Sequence, residues 1–89
     1  MNLVWKVEID SAAQKQLRKL GQDPARRVVA GLKKIAALPD PRVRAKAMVG
    51  EWAGYWRFRF DDFRVIARLE DDKLVILVVA VGHRSQVYR

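Results

Sequence analysis

From Tyr55 onward the chain alternates. Trp56, Phe58 and Phe60 fall on one side of an extended backbone and Tyr55, Arg57 and Arg59 on the other. After Asp61-Asp62 the pattern resumes, with Phe63, Val65, Ala67 and Leu69 on one side and Arg64, Ile66 and Arg68 on the other. A period of two belongs to strands, because successive side chains of an extended backbone leave opposite faces. Two acidic residues between two such runs read as a tight turn, so the segment is a hairpin and its register follows. Phe60 falls opposite Phe63, Arg59 opposite Arg64 and Phe58 opposite Val65. One face is then apolar enough to be core, while the other collects Arg57, Arg59, Arg64 and Arg68. Like charges set directly opposite one another destabilise a sheet. A face that keeps them points to an anion that lands there, since guanidinium forks grip phosphate in bidentate fashion and hold their charge at neutral pH. The plainer alternative is a solvated face on which long side chains splay apart. It weakens with four arginines on adjacent strands.

The remaining elements follow from the same kind of reading. Asp71-Asp72 marks a second turn, and the continuous apolar run at 74–81 predicts a central strand covered on both faces. Residues 3–9, with Val4, Trp5, Val7 and Ile9, predict a first strand. Asp10 or Ser11 caps a helix whose apolar positions Ala13, Leu17 and Leu20 recur at helical spacing, and Gly21 ends it. Asp23-Pro24 starts a second helix, an acidic cap followed by proline at the first helical position, with Val28, Leu32, Ile35 and Ala36 as its apolar stripe. Pro39-Asp40-Pro41 stops it. Residues 42–54 form a basic connection carrying Arg42, Arg44 and Lys46, with a short extended piece near Met48. The expected order is β-α-α-β-β-β, an α+β fold in which a helical hairpin packs on one face of an antiparallel sheet. On this pairing Val75, Leu77 and Val79 face the arginine side. The helices cannot cover that strip, which leaves an amphipathic partner segment, the 42–54 connection or flanking side chains to do so.

The 89 residues suit a single domain spanning 1–89, with no room for a separate cofactor domain. The chain has no cysteine, which removes disulfides, thiolate zinc sites and a cysteine nucleophile. No run approaches membrane-spanning length and the first residues lack a signal-peptide core, so a cytoplasmic location without membrane contact is the expectation. The net charge of +8 favours a polyanionic partner. Residues 1–50 hold eleven Lys and Arg against four acids, and residues 51–89 hold seven against six. In the second half the acids sit mainly at turns and the arginines on strands.

The apolar run ends in Val81-Gly82-His83-Arg84, followed by Val87-Tyr88. Together with Gly-Tyr-Trp-Arg-Phe-Arg-Phe at 54–60 and Phe63-Arg64-Val65-Ile66, this ending resembles the RelE branch of the RelE/ParE toxin superfamily, over nearly the whole chain in element order. The resemblance implies the RelE-like microbial ribonuclease fold and a small toxin of a type II toxin–antitoxin pair. It further implies a ribosome-dependent endoribonuclease that cleaves mRNA in the A site, inhibits translation and is held by a RelB-like antitoxin. The reaction it implies is attack by a ribose 2′-hydroxyl on the adjacent phosphate, with no metal and no other cofactor. Carried over residue by residue, the catalytic positions fall at Arg57, Arg59, Arg64, Arg84 and Tyr88. Arg59, Arg64 and Arg84 would clamp the scissile phosphate, and Tyr88 would stack on a base. Arg68, Tyr55 and Lys46 are candidate RNA contacts, and Trp52 is open between RNA contact and core. Positions 57 and 59 are often lysine in this family. Arginine is a poor base, so either His83, a candidate participant, takes the proton, or the site works by electrostatics and substrate orientation. Two competing readings share the basic surface: a ParE-like inhibitor of DNA gyrase without nuclease activity, and a non-catalytic RNA-binding module.

Overall fold

The computed structural model describes residues 4–84, and the hairpin lies at their centre. Strand β3 (Trp56–Phe60) pairs antiparallel with β4 (Phe63–Glu70) in the expected register, Phe60 with Phe63, Arg59 with Arg64 and Phe58 with Val65. Asp61 turns the chain with a left-handed φ of 54°, a conformation that a short polar side chain tolerates better than most. Strand β5 (Val75–His83) pairs antiparallel with the other edge of β4. The class is α+β as the pattern implied, but the sheet holds five strands: with β1 (Lys6–Ile9) and β2 (Ala45–Ala47), the order is β1-β5-β4-β3-β2.

Two departures from expectation have simple causes. Strand β1 (Lys6–Ile9) lies parallel to β5, with Lys6 beside Val75 and Ile9 beside Val78, so the sheet is mixed rather than antiparallel. Alternation encodes which residues face the core and says nothing about strand direction. Strand β2 (Ala45–Ala47) is an edge strand of three residues on β3, extended by a bond from Met48 N–H to the Tyr55 carbonyl. The 42–54 connection therefore lies alongside the sheet and does not cover the strip on β5. That strip is also shifted. A β-bulge between Ile66 and Ala67 makes Val79 the extra residue, so that Val75 and Leu77, then Ala80 and Gly82, continue the arginine side. Val75 is buried and the others are half-buried.

Both helices cover the opposite face. Helix α1 (Ser11–Lys19) begins at Asp10, whose carboxylate accepts from Ala13 N–H at 2.8 Å, satisfying one of the orphan donors of the first turn. Gln16 on α1 accepts from Val81 N–H at 2.7 Å, which ties the helix to β5 close to the bulge. Gly21, at φ 95°, both ends α1 and caps α2 (Gln22–Ala36). Asp23 and Pro24 thus sit inside the first turn of α2, two positions later than their residue types suggested. Val28, Leu32, Ile35 and Ala36 form its buried stripe, packed with Ala13, Phe58, Val65, Ala67, Ile76, Val78 and Val81. Each fully buried aliphatic or aromatic side chain stabilises such a core by about 1.5–3 kcal/mol. Gly31 sets the closeness of α2 to the sheet: a Cβ there would stand 2.4 Å from Phe60 Cδ1.

Arg42, read from sequence as part of the basic connection, is a fastener. It precedes β2 in a 3₁₀ turn, Pro41–Arg44. Its guanidinium makes a bidentate pair with Asp71, at 2.9 and 2.6 Å, and reaches Asp40 at 3.2 Å. It also lies 5.9 Å from the ring centre of Trp5 and 5.3 Å from that of Trp56. One cation thereby joins the approach to β1, the strand β3 and the β4–β5 turn. The hydrogen bonds from Arg42 hold the Asp71 carboxyl below the usual carboxylate range.

Candidate active site

The register sorts the predicted residues into rows across the uncovered face. One row runs Arg59, Arg64, Gly82. The next runs Lys46, Arg57, Ile66, Ala80. Beyond it the Arg68 guanidinium lies 5.8 Å from the ring centre of Tyr55, and Arg68 pairs with Leu77, which in turn pairs with Glu8 of β1. Arg57, Arg59, Arg64, Arg68, Tyr55 and Lys46 thus share one face, as the alternation required. The acids of this face, Glu8 on β1 and Glu70 at the last residue of β4, lie away from Arg59 and Arg64, so positive charge gathers over β2, β3 and the first half of β4.

Ile66 is fully buried yet stands apart from the helix-side cluster. Its neighbours on its own face are Arg57 across the ladder and Arg64 and Arg68 two residues away on β4. Arg64 Nη1 is shielded from solvent. Opposite Arg64 stands Gly82, which brings no side chain of its own. A positive group held where water is thin acts on an anion more strongly than one in bulk solvent.

Arg84 follows directly. Its N–H donates to the Asp62 carbonyl at 2.8 Å, continuing the β4–β5 ladder one step past the strand, and the residue is exposed. Strand alternation puts Arg84 on the side of Gly82 and Arg64. His83 goes the other way. It pairs with Phe63, and the two rings meet edge to face at 6.0 Å on the side that packs against the helices. The structure separates His83 from the arginine face, and alternation continued one step past the strand places Arg84 on it. Tyr88, the remaining predicted residue, lies outside the described residues.

The basic surface also turns the corner of the sheet. Arg59 and Arg44 line an open groove with Arg27 and Lys34 of α2. On the face itself, Met48 and Val49 join Trp52, Lys46 and Arg57 around a second notch at the β2 edge. Arg44 and Met48 read from sequence as part of the basic connection and its short extended piece, not as site residues. The alternation of Arg44, Lys46 and Met48 is too short and too polar to assign them to the site.

The arrangement is a set of fixed cations on an open sheet, suited to hold a phosphodiester. Comparison with known proteins gives it a family. The sequence model for the ParE toxin of type II toxin–antitoxin systems (parDE) matches residues 7–88. The chain belongs to this toxin family. Among curated sequences it is similar to the mRNA interferase toxin RelE of Escherichia coli strain K12, 29% identical over 89 residues that span 97% of this chain and 92% of the relative. The mRNA interferase RelE of Shigella flexneri matches equally. Solved structures of the same fold include the toxin–antitoxin complex RelBE2 of Mycobacterium tuberculosis, with a TM-score of 0.71, 24% identity, and 92% of this chain and 100% of that one covered. Another is the intact RelBE complex of E. coli, with a TM-score of 0.69, 20% identity, and coverage of 89% and 95%. The resemblance drawn from the arginine strands and the Gly-His-Arg ending thus holds, and the chain is a toxin of a type II system. Among the described residues, no helix is long and apolar enough to cross a membrane.

Proposed function

We propose that this toxin is a metal-independent endoribonuclease that cleaves mRNA on the ribosome, in the A site. The observation that carries the reading is the row Arg59–Arg64–Gly82, with Arg84 following on the strand that ends beside it. It is supported by relatives named mRNA interferases. Arg59 and Arg64 hold the two non-bridging oxygens of the scissile phosphate. Arg84 stands toward the leaving 5′-oxygen. The ribose 2′-oxygen attacks phosphorus, the bond to the 5′-oxygen breaks, and the products are a 2′,3′-cyclic phosphate and a 5′-hydroxyl. Guanidinium groups keep their protons, so the 2′-hydroxyl proton passes to water and the leaving oxygen takes one from water. Catalysis then rests on stabilising the extra negative charge of the transition state and on holding the 2′-oxygen in line. His83 faces away, which favours this electrostatic reading over a histidine base. Tyr88 keeps the base-stacking role that its motif implies, and Arg68, Tyr55 and Lys46 hold the flanking RNA.

Solved relatives include complexes of toxin with antitoxin. By the same reading a RelB-like antitoxin covers this chain, its acids on the arginines and its apolar side chains over Leu77 and Ala80. Action on translating ribosomes makes the protein cytoplasmic. Primer extension on mRNA from translating ribosomes tests the proposal. New 5′ ends within codons are expected with the wild type and lost with Arg84→Ala. Intact mRNA together with inhibited gyrase supercoiling would assign the chain to gyrase poisoning instead.

A further inference from the structure

The notch at the β2 edge is absorbed by neither the core nor the phosphate row. Its apolar lining comes from Met48, Val49 and Trp52, and its rim from Lys46 and Arg57. Lys46 and Arg57 are cross-strand partners on the arginine face, so the notch opens onto that face next to the proposed phosphate row. Trp52 is fixed in orientation: the Tyr55 ring meets it edge to face at 5.4 Å, and Tyr55 N–H donates to the Trp52 carbonyl at 3.0 Å. Tyr55 is itself set against Arg68. Val49 stays 84% exposed, an apolar side chain left in water beside an indole. Elsewhere the tryptophans are engaged: Trp5 is buried and Trp56 lies under the Arg42 guanidinium.

We infer that this notch is a nucleobase subsite, in which Trp52 stacks on a base of single-stranded RNA while Lys46 and Arg57 hold that nucleotide's phosphate. Flat apolar surface with cations at its rim is what a nucleotide matches, and stacking accepts any base because every base has a π-face. The charge argues for a nucleotide over a peptide side chain, because both polar groups at the rim are cations one strand apart. The inference deepens the proposed function by naming a subsite for a nucleotide flanking the scissile phosphate.

The test is binding, read apart from cleavage. The tryptophan indole N–H signals are followed by NMR in the wild-type protein during titration with adenosine 5′-monophosphate, and separately with ribose 5-phosphate at equal ionic strength. The Trp52 signal is expected to move with the nucleotide and much less with the sugar phosphate, while the Trp5 signal stays. Trp52→Ala should weaken nucleotide binding roughly tenfold or more, and Trp52→Phe should recover most of it. Unchanged thermal unfolding of both variants separates lost stacking from lost fold. Equal response to both ligands would reduce the notch to a phosphate contact and overturn the inference. So would a Trp52 signal that ignores the nucleotide and moves with an acidic apolar peptide. If the nucleotide binds as stated while mRNA stays intact on ribosomes, the subsite stands and the nuclease reading falls.

Discussion

The two faces of the sheet are made by the same strands and obey opposite rules. On the helix side, Phe58, Val65, Ala67, Ile76 and Val78 leave almost no surface to solvent, and their worth lies in burial. On the other side, arginines gather on β3 and β4, with Arg59 directly opposite Arg64. Among the described residues, no carboxylate lies within ion-pair distance of Arg59, Arg68 or Arg84. Arg42 is the instructive contrast, since it has the same side chain but is gripped by Asp71 and Asp40 and flanked by two indoles. An arginine answered by carboxylates holds a fold together. On the proposed function, Arg59, Arg68 and Arg84, which lack such carboxylates, serve an anion supplied from outside.

That division can be broken by mutation. The largest effect on stability is expected from Phe58→Ala, which should lose about 3–5 kcal/mol through lost burial and the cavity left behind, read by urea unfolding. Arg59→Ala should do the reverse. Cleavage on ribosomes should fall by about 10²–10³-fold if the side chain stabilises transition-state charge, while the unfolding midpoint holds or rises as repulsion from Arg64 is relieved. Loss of both stability and activity in Arg59→Ala would sink the division. Gly31→Ala should destabilise by about 1–3 kcal/mol through overpacking against Phe60, with activity per folded molecule preserved. His83→Gln should leave the cleavage rate within about threefold, smaller than the step general acid–base catalysis supplies.

The mildest test concerns the clasp and acid. Arg42 lowers the Asp71 pKa in the folded state, so this carboxylate contributes stability above the pKa it has when unfolded, and the contribution fades as pH falls through its folded value. Asp71→Asn should therefore lower the unfolding temperature at neutral pH. The gap to wild type should close below about pH 4. A gap independent of pH would mean that Asp71 acts through the shape of the turn.

Much of this was legible beforehand, and the reasons are particular. The hairpin register was readable because a two-residue turn between alternating runs leaves one pairing that matches apolar to apolar. The stripe on α2 was readable because 3.6-residue spacing leaves little choice of face. The direction of β1 was not readable, since Val7 and Ile9 reach the core in either orientation. The bulge beside Ile66 was not readable either, because one extra residue leaves no mark in a run as apolar as 74–81. At the site, the arginine face was visible through alternation alone. The role of Arg42 was hidden because its partners, Trp5, Trp56 and Asp71, come from distant parts of the chain.

The pairing of β1 with β5 also dictates an order of assembly. The first strand to be synthesised finds its neighbour in the last, with Lys6 beside Val75 across most of the chain. Such a contact closes late, because a long loop must be ordered before the pairing rewards it. A nascent chain stopped short of Val75 holds both helices and the β3–β4 hairpin, but its strand β1 has nothing to join. The sheet is finished, and its arginines are complete through Arg84, only once the chain has been read through β5. On the proposed function, the ribosome must therefore deliver the far strand of the sheet before the toxin it is building can act.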